Sequence, residues 1–142
     1  MRLPNQVEKA FLLKKTFMFA DLSLDHLFAI ANQIEVLTLD KNEFIFKNNQ
    51  SALHIYIIAN GQIQLMDGNN EVLIELNPGD LFGDEALFND QVHQYHAKSK
   101  SKCQLLTLTK KHLTAIISEC PSVAINLLEA FARQITFRHA SS

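Results

Sequence analysis

The 142-residue sequence holds only two cysteines, four glycines and three prolines, and each scarcity narrows what it can be. Cys103 and Cys120 lack C-x-x-C spacing, so buried free thiols are expected rather than a disulfide framework or a thiolate metal site. Nowhere do about eighteen apolar residues follow one another, and the start Met-Arg-Leu-Pro-Asn has no apolar run. No membrane span and no signal peptide are therefore expected, and a cytoplasmic location is. Lys and Arg number 13 against 15 Asp and Glu, a formal net charge of −2. No bulk basic field draws such a chain to nucleic acid or to an anionic membrane. Catalytic signatures are also missing: there is no G-x-S-x-G elbow, no Walker loop and no Cys/His pair in a supporting context. A metal-dependent jelly-roll enzyme needs H-x-H with a further His and a Glu, whereas His93 and His96 differ by three and fall on opposite faces of a strand. An enzyme is not expected.

What is present is apolar patterning, with 47% hydrophobic residues, enough for one globular domain with a real core. From Asn5 to Lys15, Val7, Phe11 and Leu12 recur at helical spacing opposite Glu8, Lys9, Lys14 and Lys15. Ser23 is placed to cap a second helix carrying Leu24, Leu27, Phe28, Ala31 and Ile34. After Ile34 the period falls from about 3.6 to 2. Strands are expected over 35–39, 43–46, 53–58 and 62–65, then over 71–76 beyond an Asp67-Gly68-Asn69-Asn70 hairpin turn. Two more follow over 95–99 and 103–108. Short strands with a turn signal about every ten residues predict a mainly β fold, an antiparallel jelly-roll barrel. Helices flank it at both termini: Thr109 caps one with Leu113, Ile116 and Ile117, Pro121 breaks it, and residues 122–139 form the last. The reading is a single domain over 1–142, with helices in 5–33, barrel in 34–109 and C-terminal helices in 110–139.

Residues 77–97 interrupt this pattern and hold two of the four glycines. Asn77-Pro78-Gly79-Asp80 places Pro second and Gly third in a tight turn, where a fixed φ and then a positive φ are wanted. Leu81-Phe82 heads inward, Gly83 lets the backbone approach a neighbour, and residues 84–88 start one helical turn. Free amides at such a start favour an anion, although a capped turn alone explains the same residues.

Phe82-Gly83-Asp84-Glu85-Ala86-Leu87 resembles the phosphate-binding cassette of the cyclic nucleotide-binding domain family, of the catabolite activator protein and protein kinase A regulatory subunit type. The family pattern is F-G-E-x-A-L, a short variable stretch, then P-R-x-A. The second half departs from it: Val92 stands at Pro, His93 at the phosphate-pairing Arg, and Gln94 where a small residue usually donates its amide. Asn42 and Asn49 stand where the family often has Gly, and Asn tolerates the left-handed turn best after Gly.

The resemblance implies a non-catalytic regulatory module with no cofactor and with cyclic AMP or cyclic GMP as the ligand. The implied contacts are Phe82, Gly83, Asp84, Glu85, Ala86, His93, Gln94 and Tyr95. Backbone amides of 83–85 would hold phosphate oxygens, and Asp84 or Glu85 would accept the ribose hydroxyl. Arg gives a phosphate two parallel charge-assisted bonds, whereas His offers one donor. Losing a buried charge partner costs about 2 to 5 kcal/mol, roughly thirty-fold to several thousand-fold in affinity. Weakened binding is thus expected, with a ligand-free docking or dimerisation domain as the alternative. Leu127, Leu128 and Phe131 of the last helix are lid candidates. Partners implied are a twin chain through that helix, or an effector domain attached in a longer protein.

Overall fold

The computed structural model describes residues 2–83, 92–129 and 132. The N-terminal helix α1 (Gln6–Lys15) is started by a reciprocal cap. The Asn5 side chain accepts from the Glu8 amide at 2.8 Å, and the Asn5 amide donates to Glu8 Oε1 at 3.3 Å. A 3-10 turn (Phe17–Phe19) leads to α2 (Leu24–Gln33), where Ser23 is the N-cap and accepts from the His26 amide.

The expected inward face of α1 is corrected at Val7 and Phe11, while Leu12 packs against the core as expected. Ala10 and Leu13 are buried, while Val7 and Phe11 are 48% and 56% exposed. The cause lies in the polar side chains that cross to α2. Gln6 Nε2 donates to Phe28 O and Lys9 Nζ to Ile34 O, which ties the Gln6–Lys9–Leu13 side of the helix inward. Phe11→Ser should therefore shift stability by less than about 0.5 kcal/mol, whereas Leu13→Ala should cost about 2 to 5 kcal/mol. Urea melts of the two variants check this, and equal losses would return Phe11 to the core.

Eight strands follow: β1 (Glu35–Leu39), β2 (Phe44–Phe46), β3 (His54–Asn60), β4 (Ile63–Met66), β5 (Val72–Leu76), β6 (Leu81–Phe82), β7 (His96–Ser99) and β8 (Cys103–Thr109). They form two antiparallel four-stranded sheets in the orders β1-β8-β3-β6 and β2-β7-β4-β5. All eight send residues to one interior cluster that includes Leu39, Phe46, Ile58, Ile63, Leu76, Phe82, Ala97 and Leu105. The helices cover the other face of the first sheet, where Ile55, Ile57, Leu106 and Leu108 meet Leu13, Leu27, Ile30 and Leu113. Strands β3 and β8 are thus buried on both faces, and burial runs almost without alternation along them.

Asn42 and Asn49 take the left-handed conformation, with φ of 67° and 74°. Helix α3 (Lys110–Glu119) is capped by Thr109, which accepts from the His112 amide, and ends before Cys120. Residues 121–129 form α4, with Pro121 in its first turn, where the missing amide hydrogen costs nothing. The rest of the expected last helix, residue 132 apart, lies outside the described residues.

Candidate functional site

The turn before the candidate site is built as its residues require. Asp80 N–H donates to Asn77 O at 3.0 Å, Gly79 has φ +94°, and the Asp80 carboxylate accepts from the Asn77 amide at 2.8 Å. Two backbone bonds fasten the turn to β3: Gly79 N–H to Ile58 O at 2.8 Å and Ile58 N–H to Asp80 O at 3.0 Å. Strand β6 then pairs with β3, Phe82 opposite Tyr56. Phe82 is buried and stacks on Tyr56, ring centroids 5.1 Å apart.

Gly83 closes this segment at φ +82°. A Cβ there would lie 3.0 Å from Tyr56 Cδ2 and 3.3 Å from His54 O, so glycine is required both by conformation and by the close approach. Its amide is aimed at the interior and donates to Tyr95 Oη at 3.2 Å, a buried bond. Asp84, Glu85 and Ala86 lie outside the described residues.

The returning segment supplies the other residues. Val92 bridges to Ser51. His93 N–H donates to Gln50 O at 2.9 Å and His93 O accepts from Asn49 N–H at 2.8 Å, fixing the backbone on both sides. The left-handed Asn49 makes that second bond geometrically available. His93 is 1% exposed and its ring stacks on Phe46, centroids 3.5 Å apart and planes 7° from parallel. Tyr95 is buried beside the same phenylalanine at 5.4 Å. Gln94, between them, is exposed, and its amide reaches back to Val92 O at 3.4 Å. His93, Tyr95 and Ala97 therefore share the inward face, as strand alternation predicts.

Around the site the structure gathers an aromatic group of Phe46, Tyr56, Phe82, His93 and Tyr95. Burial pushes the Tyr56 phenol pKa up, so that hydroxyl stays neutral. Two lysines that could assist an anion are engaged elsewhere: Lys98 Nζ lies 5.1 Å from the Phe44 ring centroid, and Lys100 Nζ pairs with Glu75 at 2.8 Å. His96 is on the opposite face from His93, accepting from the Asn48 amide at 3.1 Å. Leu127 is buried among the helices and Leu128 is exposed, while Phe131 lies outside the described residues. Among the described residues no three His, Cys, Asp or Glu side chains gather as metal ligands, and no helix is long and apolar enough to cross a membrane.

Phe46 and Tyr56 are the residues that sequence reasoning missed. Phe46 occupies an inward position of a three-residue strand, and its ring contacts with His93 and Tyr95 join segments far apart in sequence.

Two antiparallel four-stranded sheets flanked by helices, with a left-handed glycine ending β6 against β3, make a jelly-roll class of domain. Residues 36–120, more than half of the chain, match the profile of the cyclic nucleotide-binding domain, and the chain belongs to that family. It is 30% identical over 95 residues to the cyclic AMP receptor protein of Thermus thermophilus, covering 64% of this chain and 44% of that protein. It is 25% identical over 109 residues to the potassium channel AKT1 of Arabidopsis thaliana, covering 75% of this chain and 13% of the channel. It superposes on the Thermus thermophilus catabolite activator protein with a TM-score of 0.82 at 22% identity, covering 89% of this chain and 61% of that one. The chain thus spans less than half the length of either of the two sequence relatives.

Proposed function

We propose that residues 1–142 form one non-catalytic cyclic nucleotide-binding-like sensor module, working in the cytoplasm, whose affinity for cyclic AMP or cyclic GMP is weakened. The ligand would meet Phe82, Gly83, Asp84, Glu85, Ala86, His93, Gln94 and Tyr95, with His93 in place of a phosphate-pairing arginine. The observation that carries this reading is Gly83, a left-handed glycine packed on Tyr56 with its amide turned into the barrel. Backbone donors of that kind do not depend on side-chain identity, so the loss of Arg weakens such a site without abolishing it. Gln94 contributes through its backbone in this reading, because its side chain is directed outward. Ligand state would pass through the last helix to a twin chain or to an attached effector domain.

A second reading, a ligand-free docking or dimerisation unit, is favoured by a specific observation. The Phe46–His93 stack and the Tyr95 hydroxyl occupy interior space and a donor that a nucleotide would need. Calorimetry with cyclic AMP, cyclic GMP and a cyclic dinucleotide separates the two. The sensor reading expects binding of a cyclic mononucleotide at about 0.1 mM or weaker. Flat traces at millimolar ligand would leave only the docking unit.

A further inference from the structure

We propose that the Tyr95 hydroxyl is a built-in occupant of the anion cradle, holding the Gly83 amide until a ligand oxygen displaces it. The inference rests on the cassette being the ligand site and adds a residue that tunes it. Three observations converge on Tyr95. Its hydroxyl is the acceptor for the Gly83 amide at 3.2 Å, in a buried bond spanning twelve residues of sequence. Its ring is 9% exposed and leans on Phe46, so the hydroxyl is held in place by packing rather than left to rotate into solvent. At Gly83 the backbone has φ +82° and runs so close to Tyr56 and His54 that a Cβ there would lie 3.0 and 3.3 Å from them.

The chemistry makes the bond replaceable. A phenol oxygen is a neutral acceptor, whereas a phosphate oxygen is charged, and an N–H bond to a charged acceptor is roughly twice as strong. An anionic ligand can therefore win the amide, but only after breaking a neutral hydrogen bond and shifting a packed ring. The Gly83 donor stays satisfied when no ligand is bound, at the expense of affinity.

The test uses Tyr95→Phe, which keeps the ring and removes the hydroxyl, and Tyr95→Ala, which removes both. Gly83 is followed by its amide resonance, and binding by titration with cyclic AMP and with inorganic phosphate. In Tyr95→Phe the free protein should show a shifted Gly83 amide, exchanging faster with solvent. Its affinity for cyclic AMP should rise about three- to tenfold, the effect of one competing neutral hydrogen bond removed. Tyr95→Ala should gain at least as much provided its circular dichroism matches wild type. An unmoved Gly83 resonance in Tyr95→Phe, or unchanged or weaker binding of both probes, would overturn the proposal. A Gly83 amide that responds to phosphate in Tyr95→Phe, with no variant taking cyclic AMP, would support the built-in occupant and remove the cyclic nucleotide reading.

Discussion

His93→Arg is expected to raise affinity for a cyclic mononucleotide at least tenfold while lowering the melting temperature of the ligand-free protein. Both effects come from the same geometry. His93 is almost wholly enclosed, with its ring 3.5 Å from Phe46, so a guanidinium there loses the stack and loses its hydration. A buried charge without a partner costs about 3 to 5 kcal/mol, enough to lower the melting temperature by roughly 10 to 17 °C in a domain of this size. A bound phosphate restores the missing partner and supplies two parallel hydrogen bonds, so ligand should stabilise the variant more than it stabilises wild type. Thermal melts with and without cyclic AMP, together with calorimetry, read both effects. A variant as stable as wild type and no better at binding would mean that position 93 does not address the phosphate.

The second large effect is structural and lies away from the site. Gly61→Ala is expected to cost about 2 to 5 kcal/mol, adding the strain of a left-handed non-glycine residue to overpacking. Gly61 joins β3 to β4 at φ +87°, and a Cβ there would meet the Lys102 carbonyl oxygen and lie 2.7 Å from Cys103 Sγ. The obstruction includes backbone, which cannot swing away as a long side chain can. The Cys103 thiol also donates to Gln62 O at 3.2 Å, so pushing it outward breaks a second contact across the same junction. Gly68→Ala is the control, since its Cβ would meet only Asn48 Nδ2 at 3.6 Å and its φ carries no left-handed demand. Denaturant midpoints should fall sharply for Gly61→Ala and hardly move for Gly68→Ala. Similar midpoints for the two variants would mean that the junction relaxes freely.

The jelly roll was legible because short apolar, β-branched runs follow one another with turn signals between them, although burial alternates clearly only along β7. Turn chemistry was legible at Asn77–Asp80 and at Asn42 and Asn49, where φ demands a particular residue. What escaped has physical reasons. The buried residues of α1 are Ala10 and Leu13, with Leu12 packed beside them, and the Gln6 and Lys9 side chains bond to carbonyls of Phe28 and Ile34, so hydrophobicity misplaced Val7 and Phe11. Strand β6 has two residues, too few to show a period. In the candidate site, Gly83 was legible as a backbone requirement and His93 as a departure from a family pattern. The Phe46 stack and the Tyr95 bond were not, because each joins separate segments whose meeting depends on how the strands come together. A tyrosine in a strand advertises a ring to be buried, but not which amide its hydroxyl will meet.

A crystal structure of the wild-type protein grown in millimolar cyclic AMP tests the account most directly. The account predicts a phosphate oxygen within hydrogen-bonding distance of the Gly83 amide, Tyr95 Oη moved off it and the His93 ring turned from Phe46 towards the phosphate. A barrel without nucleotide, with the His93–Phe46 stack and the Gly83–Tyr95 bond unchanged, would contradict it.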